Sequence, residues 1–255
     1  MTDWDGHAAI VTGAASGLGA ATAQALANKG MRVAVFDLNE DAGRDHAAAL
    51  GGVFHRVDVS DPGSVAEGVE AVHSELGAPR VLVNCAGIGP AAKTVSRGAP
   101  HDPGLFETVI GVNLLGSFYC ASHVAARMAA AEPLDADGTR GVIVSTASVA
   151  AFEGQIGQVA YAASKGGIVG MTLPMARDLA DKGIRVCAIA PGLFLTPLLE
   201  GLPQEVQDSL GSQVPFPSRL GDPGEYGSLV CHILDNPMLN GEVIRLDGAI
   251  RMAPR

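Results

Sequence analysis

The sequence is poor in charge, in cysteine pairs and in basic clusters. Only 17% of its 255 residues are charged, and 17 Lys and Arg face 27 Asp and Glu for a net charge of −10. No basic block interrupts that balance, which argues against nucleic acid or an anionic membrane as the main partner. Four cysteines (Cys85, Cys120, Cys187, Cys231) stand far apart with no CxxC. They read as buried thiols in a reducing compartment and not as a disulfide framework. The seven histidines are scattered without an HExxH spacing, so no metal site is legible. The first Lys or Arg is Lys29, and a signal or transit peptide needs positive charge earlier than that. No uninterrupted apolar run approaches the roughly 18 residues of a membrane span. The expectation is a cytoplasmic protein with neither membrane nor nucleic-acid partner.

What the chain has in abundance is apolar residues, 47% of the total, enough for a sizeable core. β-branched runs alternate with amphipathic stretches. Strands are expected at Ala8–Thr12, Arg32–Asp37, Val53–Val57, Val81–Asn84, Val142–Thr146, Arg185–Pro191 and Val243–Leu246. Helices are expected at Gly17–Lys29, Pro62–Leu76, Leu105–Ala131, Val159–Ala180 and Gly224–Leu234, with Pro174 ending or kinking its helix. The strands are continuously hydrophobic, as when both faces are covered. The alternation predicts an α/β fold, a doubly wound parallel sheet of about seven strands with helices on both faces. No linker divides it, so residues 1–255 read as a single domain. Ile88–Pro103 and Leu193–Leu220 lack a period and read as irregular substrate loops.

Three groups of residues carry chemistry. The first strand ends in Thr12-Gly13-Ala14-Ala15-Ser16-Gly17-Leu18-Gly19 and runs into a helix. Glycines there let the backbone turn tightly and approach a pyrophosphate, while the helix N-terminus offers free N–H groups. Asp37 ends the second strand, eighteen residues after Gly19. Its carboxylate either accepts hydrogen bonds from both adenosine ribose hydroxyls, repelling a 2′-phosphate and selecting NAD over NADP, or caps the next helix. Asp58 and Val59 follow the third strand, where a carboxylate either meets the adenine amino group or caps a helix near Pro62. Asn84-Cys85-Ala86-Gly87 ends the fourth strand with small residues that let a backbone pass close to a ribose. The third group is Tyr161 and Lys165, one helical turn apart on one face, with Ser148 thirteen residues upstream of the tyrosine. A fixed ammonium stabilises a phenolate and lowers the tyrosine pKa, which makes the pair an acid/base candidate.

Taken together, TGAASGLG at 12–19, NCAG at 84–87, Asn113, Ser148, Tyr161, Lys165 and Pro191-Gly192 resemble the short-chain dehydrogenase/reductase family over the whole chain. Cys85 stands where that family usually carries a second Asn. That position contributes mainly backbone, so cofactor binding is not put in doubt. The resemblance implies NAD as cofactor and hydride transfer at a secondary alcohol or ketone carbon. It implies Tyr161 as general base in oxidation and acid in reduction, and Lys165 as the group that lowers its pKa and holds the nicotinamide ribose. Ser148 is implied to hydrogen-bond the substrate oxygen and Asn113 to anchor a water. Ser145 is a second strand-end serine, but the spacing to Tyr161 favours Ser148. Pro191, Gly192, Phe194 and Thr196 are implied near the nicotinamide, although an apolar loop residue such as Phe194 is more often core.

The segments Thr146–Gln155, Ser164–Pro174, Phe216–Pro223 and Leu239–Met252 resemble a branch of the family acting on 3-hydroxyacyl-CoA thioesters and hydroxysteroids. Gln155, Gln158, Phe152 and the apolar 193–220 loop are then expected to line the substrate pocket. Lys93 and Arg97, the only cations in their loop, either attract coenzyme A phosphates or are simply solvated. A steroid or other secondary-alcohol dehydrogenase, a 3-oxoacyl-carrier-protein reductase and a non-catalytic NAD-binding scaffold are the alternatives. Asp37 opposes the reductase, and the intact Ser148, Tyr161, Lys165 and Asn113 oppose the scaffold. Ala and Gly crowd the Val159–Ala180 helix and Leu105–Ala131 is apolar over much of its length. In this family such helices pack against their mates, so a homotetramer with D₂ symmetry is expected.

Overall fold

The structure, a computed structural model, describes residues 2–254. In chain order its strands are β1 (Ala8–Thr12), β2 (Arg32–Asp37), β3 (Val53–Arg56), β4 (Pro79–Asn84), the short hairpin arms β5 (Val95–Ser96) and β6 (Ala99–Pro100), β7 (Gly141–Thr146), β8 (Ile184–Pro191) and β9 (Val243–Leu246). The helices are α1 (Gly17–Asn28), α2 (Glu40–Leu50), α3 (Pro62–Leu76), α4 (Pro103–Ile110), α5 (Gly116–Ala129), α6 (Ala150–Glu153), α7 (Val159–Asp178), α8 (Pro197–Glu200), α9 (Gln204–Gly211) and α10 (Pro223–Asp235). Seven strands form one sheet in the order β3-β2-β1-β4-β7-β8-β9, and every pairing in it is parallel.

The two-residue period of the strands sorts side chains between two cores. Val11, Val83 and Val144 face one side, where Leu26 of α1 and Tyr226 and Ile233 of α10 cover them. Their neighbours Ile10, Leu82 and Ile143 face the other, under Val69 of α3 and Val124 and Met128 of α5. All six strand side chains are fully buried, each worth about 1.5–3 kcal/mol. The chain reverses its winding between β1 and β4, which opens a crevice at the carboxyl ends of those strands.

Several elements differ from expectation. Helix α2 carries little apolar signal, since only Gly43 and Ala47 are buried. Asn39 starts it by accepting from the Ala42 N–H, and Glu40 and Asp41 suit the dipole of its first turn. Leu105–Ala131 is not one regular helix: a π-helical turn at Gly111–Leu115 separates α4 from α5. Pro174 does not end α7, which continues to Asp178. The 88–103 stretch holds the β5–β6 hairpin. The 193–220 stretch holds α8 and α9, with Pro197 at the first turn of α8 and Pro203 capping α9, where a missing N–H costs nothing.

Candidate active site

The glycine turn leaves β1 at the crevice. Gly13 and Gly17 have φ of 62° and 54°, a region side chains avoid. A Cβ on Gly13 would lie 2.8 Å from the Ala86 backbone, and one on Gly19 2.1 Å from the Gly13 carbonyl. The turn is also tied from both sides. Thr12 Oγ1 accepts from the Cys85 and Ala86 N–H groups at 3.1 Å each. Asp37 accepts from Ala15 N through Oδ2 and from Asn39 N through Oδ1, both at 2.9 Å. Asn39 caps α2, so Asp37 is not a helix cap. Each of its oxygens keeps a lone pair for a further donor. Asp61 likewise caps α3, leaving Asp58 to accept from Ser60 N and Ser60 Oγ through Oδ1. Val59 is buried, and its side chain crowds Gly116 at the start of α5. Ser16 is exposed at the mouth of α1, whose first turn carries no acidic residue. Beside it Leu18 packs on the core. A narrow cradle of Gly13, Gly17, Gly19, Ala86 and Gly87, with N–H groups at one end and a carboxylate at strand end, fits a dinucleotide.

The second half of the site gathers at the ends of β4 and β7. Ser148, 7% exposed, lies just past β7 and accepts from the Ala150 N–H at 3.1 Å. Ser145 instead sits inside β7, where its Oγ accepts from Asn84 Nδ2 at 3.2 Å. That makes Ser145 structural and leaves Ser148 facing Tyr161. Lys165 is buried in α7 and donates to the Thr146 carbonyl at 2.7 Å. Burial pushes its pKa down to about 8. Its Nζ lies 5.7 Å from the Tyr161 ring centre.

Burial pushes the Tyr161 phenol up, and only the Ser148 hydroxyl pulls it the other way. The ammonium is itself desolvated and turned to Thr146. Asn113 occupies the π-helical turn, fully buried. Its Oδ1 accepts from Ile88 N at 2.8 Å, and its Nδ2 donates to Ile88 O at 2.8 Å and to Ser164 Oγ at 3.0 Å. The amide therefore braces the loop that follows Gly87. A Cβ at Gly87 would meet Asn113 Oδ1 at 3.2 Å and Lys165 Nζ at 3.6 Å, and one at Gly89 would meet the Tyr161 ring at 3.4 Å. Loop, lysine, asparagine and tyrosine thus converge on one spot.

Three supporting residues escaped the sequence reading. Thr12 was only part of a glycine-rich run. Thr146 Oγ1 donates to Asn84 O at 2.6 Å and lies 2.7 Å from the buried Tyr226 hydroxyl and 3.6 Å from Cys85 Sγ. Burial pushes both the Cys85 thiol and the Tyr226 phenol up. Tyr226 comes from α10, far away in sequence, and no local pattern could have flagged it.

The remaining predicted residues divide. Pro191 ends β8, and Gly192 donates to Leu246 O at 2.9 Å. Thr196 lies against Gly17 across the glycine turn. Phe194 belongs to the apolar core and packs on Gly221. Gln158 Oε1 accepts from Gln155 N at 2.9 Å, and Gln155 Nε2 donates to Ala253 O at 3.1 Å. Both glutamines line a cavity of about 490 Å³ with Lys93, Val95 and Ile156, but Ser148 and Tyr161 do not. Ala92 and Gln158, which pair in parallel across it, line the same cavity. One polar atom of each amide, Gln158 Oε1 and Gln155 Nε2, is bound to the protein's own backbone.

Comparison with known proteins agrees with this geometry. The short chain dehydrogenase family model matches residues 7–207. The human protein named 3-hydroxyacyl-CoA dehydrogenase type-2 is 55% identical over 253 residues, covering 98% of this chain and 97% of the relative. The Drosophila melanogaster protein of the same name is 51% identical, covering 96% and 97%. A crystal structure of 3-hydroxyacyl-CoA dehydrogenase type-2 from Mycobacterium avium superposes with a TM-score of 0.95 at 43% identity, covering 99% of this chain and 98% of that one. With a glycine-cradled dinucleotide crevice beside a Ser-Tyr-Lys cluster, and with relatives matching end to end, the chain belongs to the short-chain dehydrogenase family.

Proposed function

We propose that this dehydrogenase uses NAD and interconverts the 3-hydroxy and 3-oxo forms of an acyl-CoA. The observation that carries the reading is the convergence of Ser148, Tyr161 and Lys165 at the switch-point crevice, with Asp37 at its far end. The nicotinamide cofactor of the family supplies or accepts the hydride when bound. Gly13, Ser16, Gly17 and Gly19 are assigned to its pyrophosphate and Asp37 to its adenosine ribose. Asp58 and Val59 face the adenine, residues 84–87 the backbone of the ribose half, and Gly192 and Thr196 the nicotinamide. The Asp37 carboxylate supports NAD over NADP, because a 2′-phosphate there would meet a negative charge.

Tyr161 takes the hydroxyl proton in oxidation and returns it in reduction. Ser148 donates to the substrate oxygen and stabilises charge developing on it. Lys165, held by Thr146, keeps an ammonium beside the phenol, and Asn113 holds the Ile88 loop that walls this spot. Relatives named for 3-hydroxyacyl-CoA support the substrate class. The exposed cations Lys93 and Arg97, unpaired among the described residues, support a phosphate-bearing handle. Half-exposed Leu115 just before α5, Phe118 on α5, and Val159 and Leu173 on α7 support assembly as a homotetramer. Four unpaired thiols suit the cytoplasmic location that belongs to the same reading.

A Tyr161→Phe variant tests the chemistry. Turnover should fall by two or more orders of magnitude, while NADH binding, read by fluorescence, stays within a few-fold of wild type. Equal turnover in both proteins would remove Tyr161 from the mechanism.

A further inference from the structure

Three segments that flank the candidate active site in sequence meet on one short stretch of chain. After β9, residues 247–254 run from the base of the 193–220 segment, past Gly192, to the stretch that follows Ser148. At the first segment the Gly248 carbonyl accepts from Phe216 N at 3.2 Å. At the second, a Cβ on Gly192 would lie 3.0 Å from Asp247 Cα and 3.3 Å from Ile250 Cγ2. At the third, Ala253 O accepts from Gln155 Nε2 and Pro254 O from Ile156 N, each at 3.1 Å. Apolar burial does little to hold this strap, since Ile250 is its one fully buried hydrophobic side chain among the described residues.

Charge holds it instead. Arg245, on β9, forks onto Glu153 at the end of α6, with Nη1 and Nη2 at 2.8 and 3.0 Å from the two carboxylate oxygens. Its Nε donates to Asp247 Oδ2 at 2.8 Å, and its Nη2 also donates to the Ile250 carbonyl at 3.1 Å. Arg251, on the strap, reaches Glu153 at 3.4 Å and Asp247 at 3.2 Å. The guanidinium of Arg245 lies 5.3 Å over the Phe152 ring. A lone surface ion pair contributes almost nothing, but a bidentate pair inside a network is the exception. The Glu153, Arg245 and Asp247 side chains are only 24, 22 and 8% exposed.

We infer that Glu153 is a positioning residue: with Arg245 it latches the 247–254 strap across the Ser148–Gln158 segment, and the latched strap sets how the acyl-CoA substrate is held. Glu153 stands five residues after Ser148 and two before Gln155, so the latch acts on the segment that presents Ser148. Among the described residues, those assigned to the pyrophosphate and the adenosine half of the cofactor, Gly13, Asp37 and Asp58, make no hydrogen bond to the strap. The statement about substrate rests on the acyl-CoA reading above; the statement about the latch does not.

Two variants and two readouts test it. Glu153→Gln keeps the shape and removes the charge, and deletion of residues 251–255 removes Arg251 and both bonds to Gln155 and Ile156. Each should raise the KM for acetoacetyl-CoA about three- to tenfold, the value of one lost hydrogen bond. The Kd for NADH should stay within about twofold. The double variant should be no worse than the worse single one, because both open the same latch. Glu153→Asp, which keeps the charge, should recover part of the loss. An unchanged KM in folded variants, or effects that multiply, would overturn the proposal. Should the deletion fail to fold, Glu153→Gln alone decides. Hydrogen exchange at the Ile156 amide needs no substrate. Glu153→Gln should lower its protection about tenfold if Glu153 holds the strap. Unchanged protection would refute the latch itself, whereas lost protection with no acyl-CoA turnover in the wild type would refute only the acyl-CoA reading.

Discussion

Replacing Lys165 with methionine should make the protein more stable while destroying its activity. Lys165 is 4% exposed and its ammonium donates to one protein acceptor, the Thr146 carbonyl. Burial lowers its pKa from 10.5 to about 8, which corresponds to roughly 3 kcal/mol of penalty on holding the charge inside the fold. Methionine fills similar volume with no charge to desolvate. Against this, the Thr146 carbonyl loses a partner, at a cost of roughly 1 kcal/mol. The net expectation near neutral pH is a gain of about 2 kcal/mol. The sign follows from linkage. A lysine whose folded pKa lies below its unfolded value carries its full penalty below pH 8, and the penalty disappears as the pH rises from 8 toward 10.5. Urea unfolding of both proteins at one protomer concentration, followed across that range, measures the difference. The gain should be largest below pH 8 and shrink or reverse above 10. Turnover should fall by two or more orders of magnitude at every pH. A methionine variant less stable than wild type at neutral pH, or a difference flat with pH, would refute the picture of a strained, desolvated ammonium.

Asp37→Asn should cut the preference for NADH over NADPH by at least tenfold, read as the ratio of kcat/KM values, because it removes the charge that opposes a 2′-phosphate; an unchanged ratio would place cofactor choice elsewhere. Lys93→Ala combined with Arg97→Ala should raise the KM for acetoacetyl-CoA several-fold more than that for a small free ketone; equal effects on both would make these residues an ordinary solvated loop.

The sheet was legible because parallel strands covered on both faces must be continuously apolar, and Ile10, Leu82 and Ile143 sit in such runs. The chemistry was legible where it is local: the glycine turn, the Tyr161–Lys165 spacing, Asp37 at a strand end. It failed where an element owes its existence to caps or to distant packing. Helix α2 is held by Asn39 and carries almost no apolar stripe. The π-helical turn that places Asn113 has no compositional mark distinguishing it from the α-helix around it. Tyr226 reaches Thr146 from eighty residues away, and Gln155 is occupied by the carbonyl of Ala253, at the other end of the chain. The setting of the tyrosine was only half legible for a related reason. The spacing puts Lys165 beside the phenol, but spacing cannot say that both groups are desolvated and that the ammonium is already bound to Thr146.

Oxidation of NADH by the purified protein in the presence of acetoacetyl-CoA, with NADPH run in parallel, tests the central claim most directly. The account predicts fast turnover with NADH and little with NADPH. NADH binding without turnover would contradict the acyl-CoA reading, and equal use of both cofactors would contradict the role of Asp37.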